Sequence, residues 1–200
     1  MPESQRNSDG SARALILIGQ IVVENYSLFS TALLKDVAQS VTLYLNDASS
    51  PFRALGIDLC SAGFQIWQHY IDAMEVLRSL FHLATNKNPG GITLQARNAS
   101  FHVASTNTPL FMTTLSYDII NATSPEQRNA TMKLVALLAK RKPLILYSSL
   151  PRILEAVVKS LDPNVSAMRD TVHSTATVIL ESLVHSCVRL AYIGPSAACS

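Results

Sequence analysis

The sequence predicts an all-α fold built as an α-solenoid of about four helix pairs plus one unpaired helix. Two observations carry this expectation: a segment type that recurs along the chain, and apolar spacing of helical period within most segments. The recurring segments are "ARALILIGQIV" from Ala12, "FRALGIDLCSAGF" from Phe52, "ARNASFHVAS" from Ala96, "QRNATMKLVALLAK" from Gln127 and "MRDTVHSTATVIL" from Met168. Each opens with an arginine, then a small or polar residue, then an apolar stretch. The arginines, Arg13, Arg53, Arg97, Arg128 and Arg169, stand 40, 44, 31 and 41 residues apart.

Between these A segments lie B segments: "YSLFSTALLKDVAQSVTLYL", "YIDAMEVLRSLFHLA", "TPLFMTTLSYDII" and "LPRILEAVVKSL". Pro109 and Pro151 sit near the first turn of two of them, where a missing N–H costs nothing. Asp72, near the start of another, suits the positive end of a helix. Ile71, Met74, Val76 or Leu77, Leu80 or Phe81 and Ala84 recur at three- and four-residue steps. So do Ile153, Leu154, Val157, Val158 and Leu161, and Met168, Val172, Ala176, Ile179 and Leu183. A strand would alternate instead. "ALILIGQIVV" and "PLILYSSL" are continuous apolar runs that could be strands alone; register within the repeat assigns the first to a helix, and the second reads as a helix or a connection.

Helices of 12–18 residues are marginal alone, so stacking of pairs is the expected source of stability. A plain helical bundle is the alternative architecture. The expected boundaries are a disordered tail over 1–11, the helical repeats over 12–187 and an irregular tail over 188–200. The Asp162-Pro163-Asn164 stretch is expected to turn the chain into the fifth A helix.

Composition narrows the function. With 48% hydrophobic and 15% charged residues the chain can bury a sizeable core. Sixteen basic and 14 acidic residues leave +2, too balanced for a sequence-independent nucleic-acid partner. The odd, scattered cysteines, Cys60, Cys187 and Cys199, suit a reducing compartment, so a cytoplasmic location is expected. No transmembrane segment is expected, because the apolar runs fall short of the roughly 20 residues a membrane helix needs. The sequons at Asn25, Asn98, Asn121, Asn129 and Asn164 carry no functional weight without an export signal.

Catalytic groups are sparse. Asp170, His173 and Ser174 are close in sequence, but one rigid helix does not aim all three at one reacting atom. Glu181 and His185 are i,i+4 without further ligands at matching spacing. His69, His82 and His102 read as packing residues. No enzyme activity, cofactor or metal is expected. Candidate interaction residues are the aromatic group Phe64, Trp67 and Tyr70, for which core packing is the favoured role, and the basic run Lys140, Arg141 and Lys142, for which complementing a helix C-terminus is favoured over docking.

"GFQIWQHYIDAMEVLRSLFHLA", "ARNASFHVASTNTPLFMTTLSYDI" and "LPRILEAVVKSLDPN", in this order, resemble the C-terminal helical region of the rabconnectin beta-subunit family of large WD-repeat proteins. The resemblance covers roughly residues 12–185 and centres on "GF-x-x-W-x-x-Y-x-D". It implies an armadillo/HEAT-like helical stack lying between β-propeller blades and the last WD-like segments. It also implies a non-enzymatic scaffold of vesicle traffic and vacuolar proton-ATPase assembly, partnered by a second large WD-repeat subunit and peripheral on endosomal or vacuolar membranes. No propeller signature is present, and "VRLAYIGPSAACS" stands where the family continues into a "RLAVG"-like strand. The chain is therefore expected to be a truncated piece whose fifth A helix lacks its B partner and self-associates through that uncapped end. The alternative is an independent HEAT-like adaptor of an unrelated pathway; a small helical enzyme using Asp170, His173 or Cys60 is the reading from another class.

Overall fold

The computed structural model describes residues 8–86, 91–162, 164 and 166–192. The expected tail is thus outside the described residues over 1–7, as are Pro163 of the Asp-Pro-Asn turn and residues 193–200. Among the described residues the chain is helical without strands, and its eleven α-helices follow the expected order of segments. It divides into two compact units, Met1–Phe111 and Met112–Ser200.

The first unit opens with α1 (Asp9–Asn25), three residues before the expected start at 12, and a single 3-10 turn, Tyr26–Leu28. The run "ALILIGQIVV" lies wholly within α1. Ser8 caps it by accepting the Ser11 N–H, which draws the boundary back towards the polar tail. Then come α2 (Thr31–Asn46), α3 (Arg53–Ala62), α4 (Phe64–Trp67), α5 (Ala73–Thr85) and α6 (Ile92–Thr106). Ser30 caps α2, and Asp72 caps α5 through the Glu75 N–H. Gly91 enters α6 with a left-handed φ of 77°, a conformation that glycine adopts without penalty.

Helix α3 packs on α1, α2 and α6, and α2 packs on α5, so A helices meet A helices and B helices meet B helices within this unit. A polar clasp reinforces the α3–α6 contact, with Gln95 Nε2 donating to Asp58 Oδ2 at 2.7 Å and to the Ala54 carbonyl. Gly56 makes the α2–α3 crossing close: a Cβ there would lie 2.7 Å from the Leu45 nitrogen and 3.0 Å from the Tyr44 carbonyl carbon. Phe81 and Phe111 meet edge to face with ring centres 5.1 Å apart.

Helix α7 (Thr108–Asn121) carries the chain into the second unit, where α8 (Pro125–Arg141), α9 (Pro143–Tyr147), α10 (Leu150–Ser160) and α11 (Ser166–Tyr192) follow. Pro125 and Pro143 open their helices, as the geometry of the first turn favours. "PLILYSSL" resolves into the short α9 and a turn. In this unit α11 packs on α8 and α10. Thr175 Oγ1 donates to Asn129 Oδ1 across the first of these contacts, at 3.0 Å. Arg152 Nη1 donates to Thr113 Oγ1, tying α10 to α7 at 2.9 Å.

Two expectations need correcting. Helix α11 runs to Tyr192, beyond the expected limit at 187. Its apolar row Val172, Ala176, Ile179 and Leu183, expected to lie open, is buried, because α8 and α10 together cover it. His173, Ser174, Thr177, Glu181 and His185 face outward.

The recurring arginine has a structural role that its spacing did not disclose. Arg53 Nε donates to the Leu45 carbonyl at 2.9 Å, and Arg97 Nε to the Ala84 carbonyl at 2.7 Å. Arg128 Nη2 donates to the Ile120 carbonyl at 3.1 Å. In each case the A-segment arginine satisfies an orphan carbonyl in the last turn of the preceding B helix and sets positive charge at its negative end. Arg13 and Arg169 instead pair with nearby carboxylates, Asp9 and Asp170. Burial lowers the pKa of the Arg128 guanidinium, whose Nε has no hydrogen-bond partner.

Candidate functional site

The aromatic group belongs to the interior of the first unit. Phe64 and Trp67 are fully buried and Tyr70 is half-buried. Helix α3 ends at Gly63, whose N–H reaches the Leu59 carbonyl at 3.1 Å; the Trp67 indole N–H reaches the same oxygen at 2.9 Å. The indole lies so close that a Cβ at Gly63 would overlap it, 2.6 Å from Cζ2. The "GF-x-x-W" pattern is therefore a corner: glycine admits the ring, and the ring seals the break between α3 and α4. Gln65 and Gln68 bind the far end of α6 through the Thr106 carbonyl and Asn107 Nδ2. As contact residues Phe64 and Trp67 are thus corrected to packing residues, since alternation of aromatic and polar side chains cannot tell a sealed corner from an exposed anchor.

Lys140, Arg141 and Lys142 are all exposed at the end of α8, where Lys140 and Arg141 occupy the last turn. They complement the helix terminus and are also open to a partner. Leu144 and Tyr147, three residues apart on α9, stand exposed beside them. From Gln127 to Leu154 the chain carries six Lys or Arg and no Asp or Glu, although it is nearly balanced as a whole. Bases and apolar side chains together form a surface suited to an acidic protein segment. The two apolar residues were missed in the sequence because their run reads equally well as a connection.

A second surface that the sequence did not single out lies on α1. Its outward side holds Leu17, Ile18 and Ile21, all exposed. A groove of about 250 Å³ runs beside it towards α2, lined by Ala14, Leu15, Ile18, Leu33 and Val37 among others.

The titratable candidates do not assemble. Asp170, His173 and Ser174 are all exposed, and Asp170 Oδ1 is taken by Arg169. Glu181 and His185 are exposed as well. No group of three His, Cys, Asp or Glu among the described residues could hold a metal ion. His69, His82 and His102 are exposed, which corrects their reading as packing residues; His82 Nε2 lies 2.7 Å from Asn86 Nδ2. Cys60 is buried in α3, and desolvation pushes its thiol from 9.0 up to about 12, which leaves it protonated and inert at neutral pH. Among the described residues no helix is long and apolar enough to cross a membrane.

Compared with protein-family models and with curated proteins, the chain matches none of either.

Proposed function

We propose that the chain is a non-enzymatic protein-interaction scaffold, an armadillo/HEAT-like α-solenoid segment of a large WD-repeat protein similar to the rabconnectin beta subunits. In this reading it serves vesicle traffic and vacuolar proton-ATPase assembly, works in the cytoplasm or peripherally on endosomal or vacuolar membranes, and binds a second large WD-repeat subunit. The observation that carries the scaffold reading is the stacking of like helices on like within each unit, α1, α3 and α6 in the first and α8 on α11 in the second. Stacking of this kind makes an extended surface of helix ends and outer faces, the usual means by which helical repeats bind proteins. The named pathway rests on the resemblance of residues 12–185.

The basic and apolar surface of α8 and α9 is the proposed contact face. Tagged chain expressed in cells should co-purify a large WD-repeat subunit together with proton-ATPase components. Reversing Lys140, Arg141 and Lys142 to Glu should reduce that capture about tenfold while leaving helicity unchanged. Capture of unrelated partners through the same surface would favour an independent adaptor, and loss of no partner on charge reversal would remove the face from the proposal.

A further inference from the structure

Two Ser-Pro steps stand just before A helices, Ser50-Pro51 before α3 and Ser124-Pro125 before α8, and the fold treats them differently. Ser50 is 7% exposed, and the arginine after it, Arg53, commits its Nε to the Leu45 carbonyl. Ser124 is half-buried beside the exposed Thr123, in extended backbone with φ −125° and ψ 150°, the form that a following proline favours. It caps α8 by accepting the Gln127 N–H at 3.1 Å, and its carbonyl accepts the Arg128 N–H at 3.2 Å. One turn on, Arg128 is 9% exposed and its Nε has no partner. Helical side chains lean towards the N-terminus, and this one runs back past the cap, since its Nη2 reaches the Ile120 carbonyl in the last turn of α7. Ser124 and Arg128 thus share one face at i,i+4 spacing.

Arg128 makes no ion pair among the described residues. The Ile120 carbonyl satisfies one arm of its guanidinium, while the orphan Nε and the charge lie at the positive end of α8, where an anion is favoured and a lone cation is not. We propose that Ser124 is a phosphorylation site and that its phosphate supplies the counter-ion Arg128 lacks. A proline-directed protein kinase transfers the γ-phosphoryl group of ATP: the bond from Ser124 Oγ to phosphorus forms, the bond from the γ-phosphorus to the β,γ-bridging oxygen breaks, ADP leaves, and the hydroxyl proton passes to the base of the kinase. The product carries close to two negative charges at pH 7 and three acceptor oxygens. One oxygen keeps the Gln127 N–H and another takes the Arg128 Nε while Nη2 holds Ile120, so a single guanidinium ties the end of α7 to the start of α8. Glu126 opposes the added charge, but it is exposed and screened by solvent, unlike the nearly buried arginine. Modification therefore stiffens the α7–α8 joint. This joint lies at the other end of α8 from Lys140, Arg141 and Lys142, so this proposal and the contact face can fail separately.

The test compares the whole chain with and without phosphoserine installed at position 124 during synthesis, in wild-type, Arg128→Lys and Arg128→Gln backgrounds. Phosphoserine should raise the thermal midpoint by about 4 °C in the wild type, by little with Gln, and by an intermediate amount with Lys, which keeps the charge without the fork. Should Arg128→Gln fail to fold, Arg128→Lys carries the comparison. In phosphorus NMR the second phosphate ionisation should fall about half a unit below its ordinary value near 6, and only while Arg128 is present. A proline-directed kinase with ATP should label the folded chain at Ser124 ahead of Ser50, as peptide mass spectrometry reads, and Ser124→Ala should remove that label. No rise, an equal rise in all backgrounds, an ionisation indifferent to Arg128, or labelling of Ser50 in preference to Ser124 overturns the proposal. If inorganic phosphate gives the unmodified chain the same Arg128-dependent rise, the joint is a site for a free anion and the modification is overturned.

Discussion

Helices α1 and α8 have the same length, 17 residues, and both carry apolar residues around most of their circumference, yet they stand differently in their units. Helix α8 buries Met132, Leu134, Val135, Leu138 and Ala139, among others, with α9 and α11 packed against it. Helix α1 buries only Ala12, Gly19 and Val22 and leaves three of its largest aliphatic side chains in water. An apolar circumference therefore states how much covering a helix can use, while the neighbours decide how much it receives.

The sharpest way to break this contrast is one chemical change made on both helices. Leu138→Ala, at a fully buried position, should cost about 2–5 kcal/mol in urea unfolding, for lost burial and the cavity left behind. Leu17→Ala, measured at submicromolar protein, should stay within about 0.5 kcal/mol. Equal costs would mean that α1 is covered in solution even by a lone chain.

The next largest effect concerns how closely an interior contact is fitted. Gly56→Ala should cost about 1–3 kcal/mol, because the new methyl meets α2 backbone, which cannot rotate away as a side chain can. Trp67, the chain's one tryptophan, should report it through an earlier shift of its emission to the red on unfolding.

Arginine substitutions should give a smaller and graded result. Arg53→Ala and Arg97→Ala each remove a charged hydrogen bond to a helix end and should cost about 1–2 kcal/mol. Arg13→Ala, which removes only an exposed i,i+4 pair, should cost about 0.5 kcal/mol or less. A uniform loss across the three would mean that the carbonyl contacts add nothing beyond helix propensity.

The smallest effect near neutral pH is at Cys60. In a chain with Cys187→Ser and Cys199→Ser, its thiol should resist alkylation at pH 8 until the protein unfolds. The native thiol holds its proton to about pH 12 against an ordinary 9.0, so the folded state binds the extra proton between these values. Stability from this group is complete below about pH 9 and declines as pH rises towards 12. Rapid labelling of native protein at pH 8 would show that the α3 interior opens readily.

Helix positions were legible in the sequence wherever a single apolar row continued for several turns. Val172, Ala176, Ile179 and Leu183 are all buried as their spacing predicts, and so are Val76, Leu77, Leu80, Phe81 and Ala84. The short helices α4 and α9 were not, since four or five residues hold barely one turn and leave no period to detect. Where the uncovered face lies was misjudged for a related reason. The α11 spacing shows an apolar row but not the two helices that cover it, while the run of apolar residues in α1 conceals which side faces out. The arginines were visible as a recurring feature, but their partners are main-chain oxygens, which every residue possesses and no side-chain pattern marks. The candidate site was half legible: the basic run is exposed where expected, and the aromatic group turned inward because Gly63 makes room for Trp67.

The arginine contacts also bear on how the chain could change in length. Eight residues separate arginine and carbonyl at Arg53 and at Arg128, and thirteen at Arg97, yet all three reach the end of the preceding helix. The joint is anchored at its two ends and indifferent to the path between them. Connections between a B helix and the next A helix are thus natural places to accept inserted sequence, so a tag or a short recognition peptide introduced between Asn46 and Arg53 should leave the helices on either side paired.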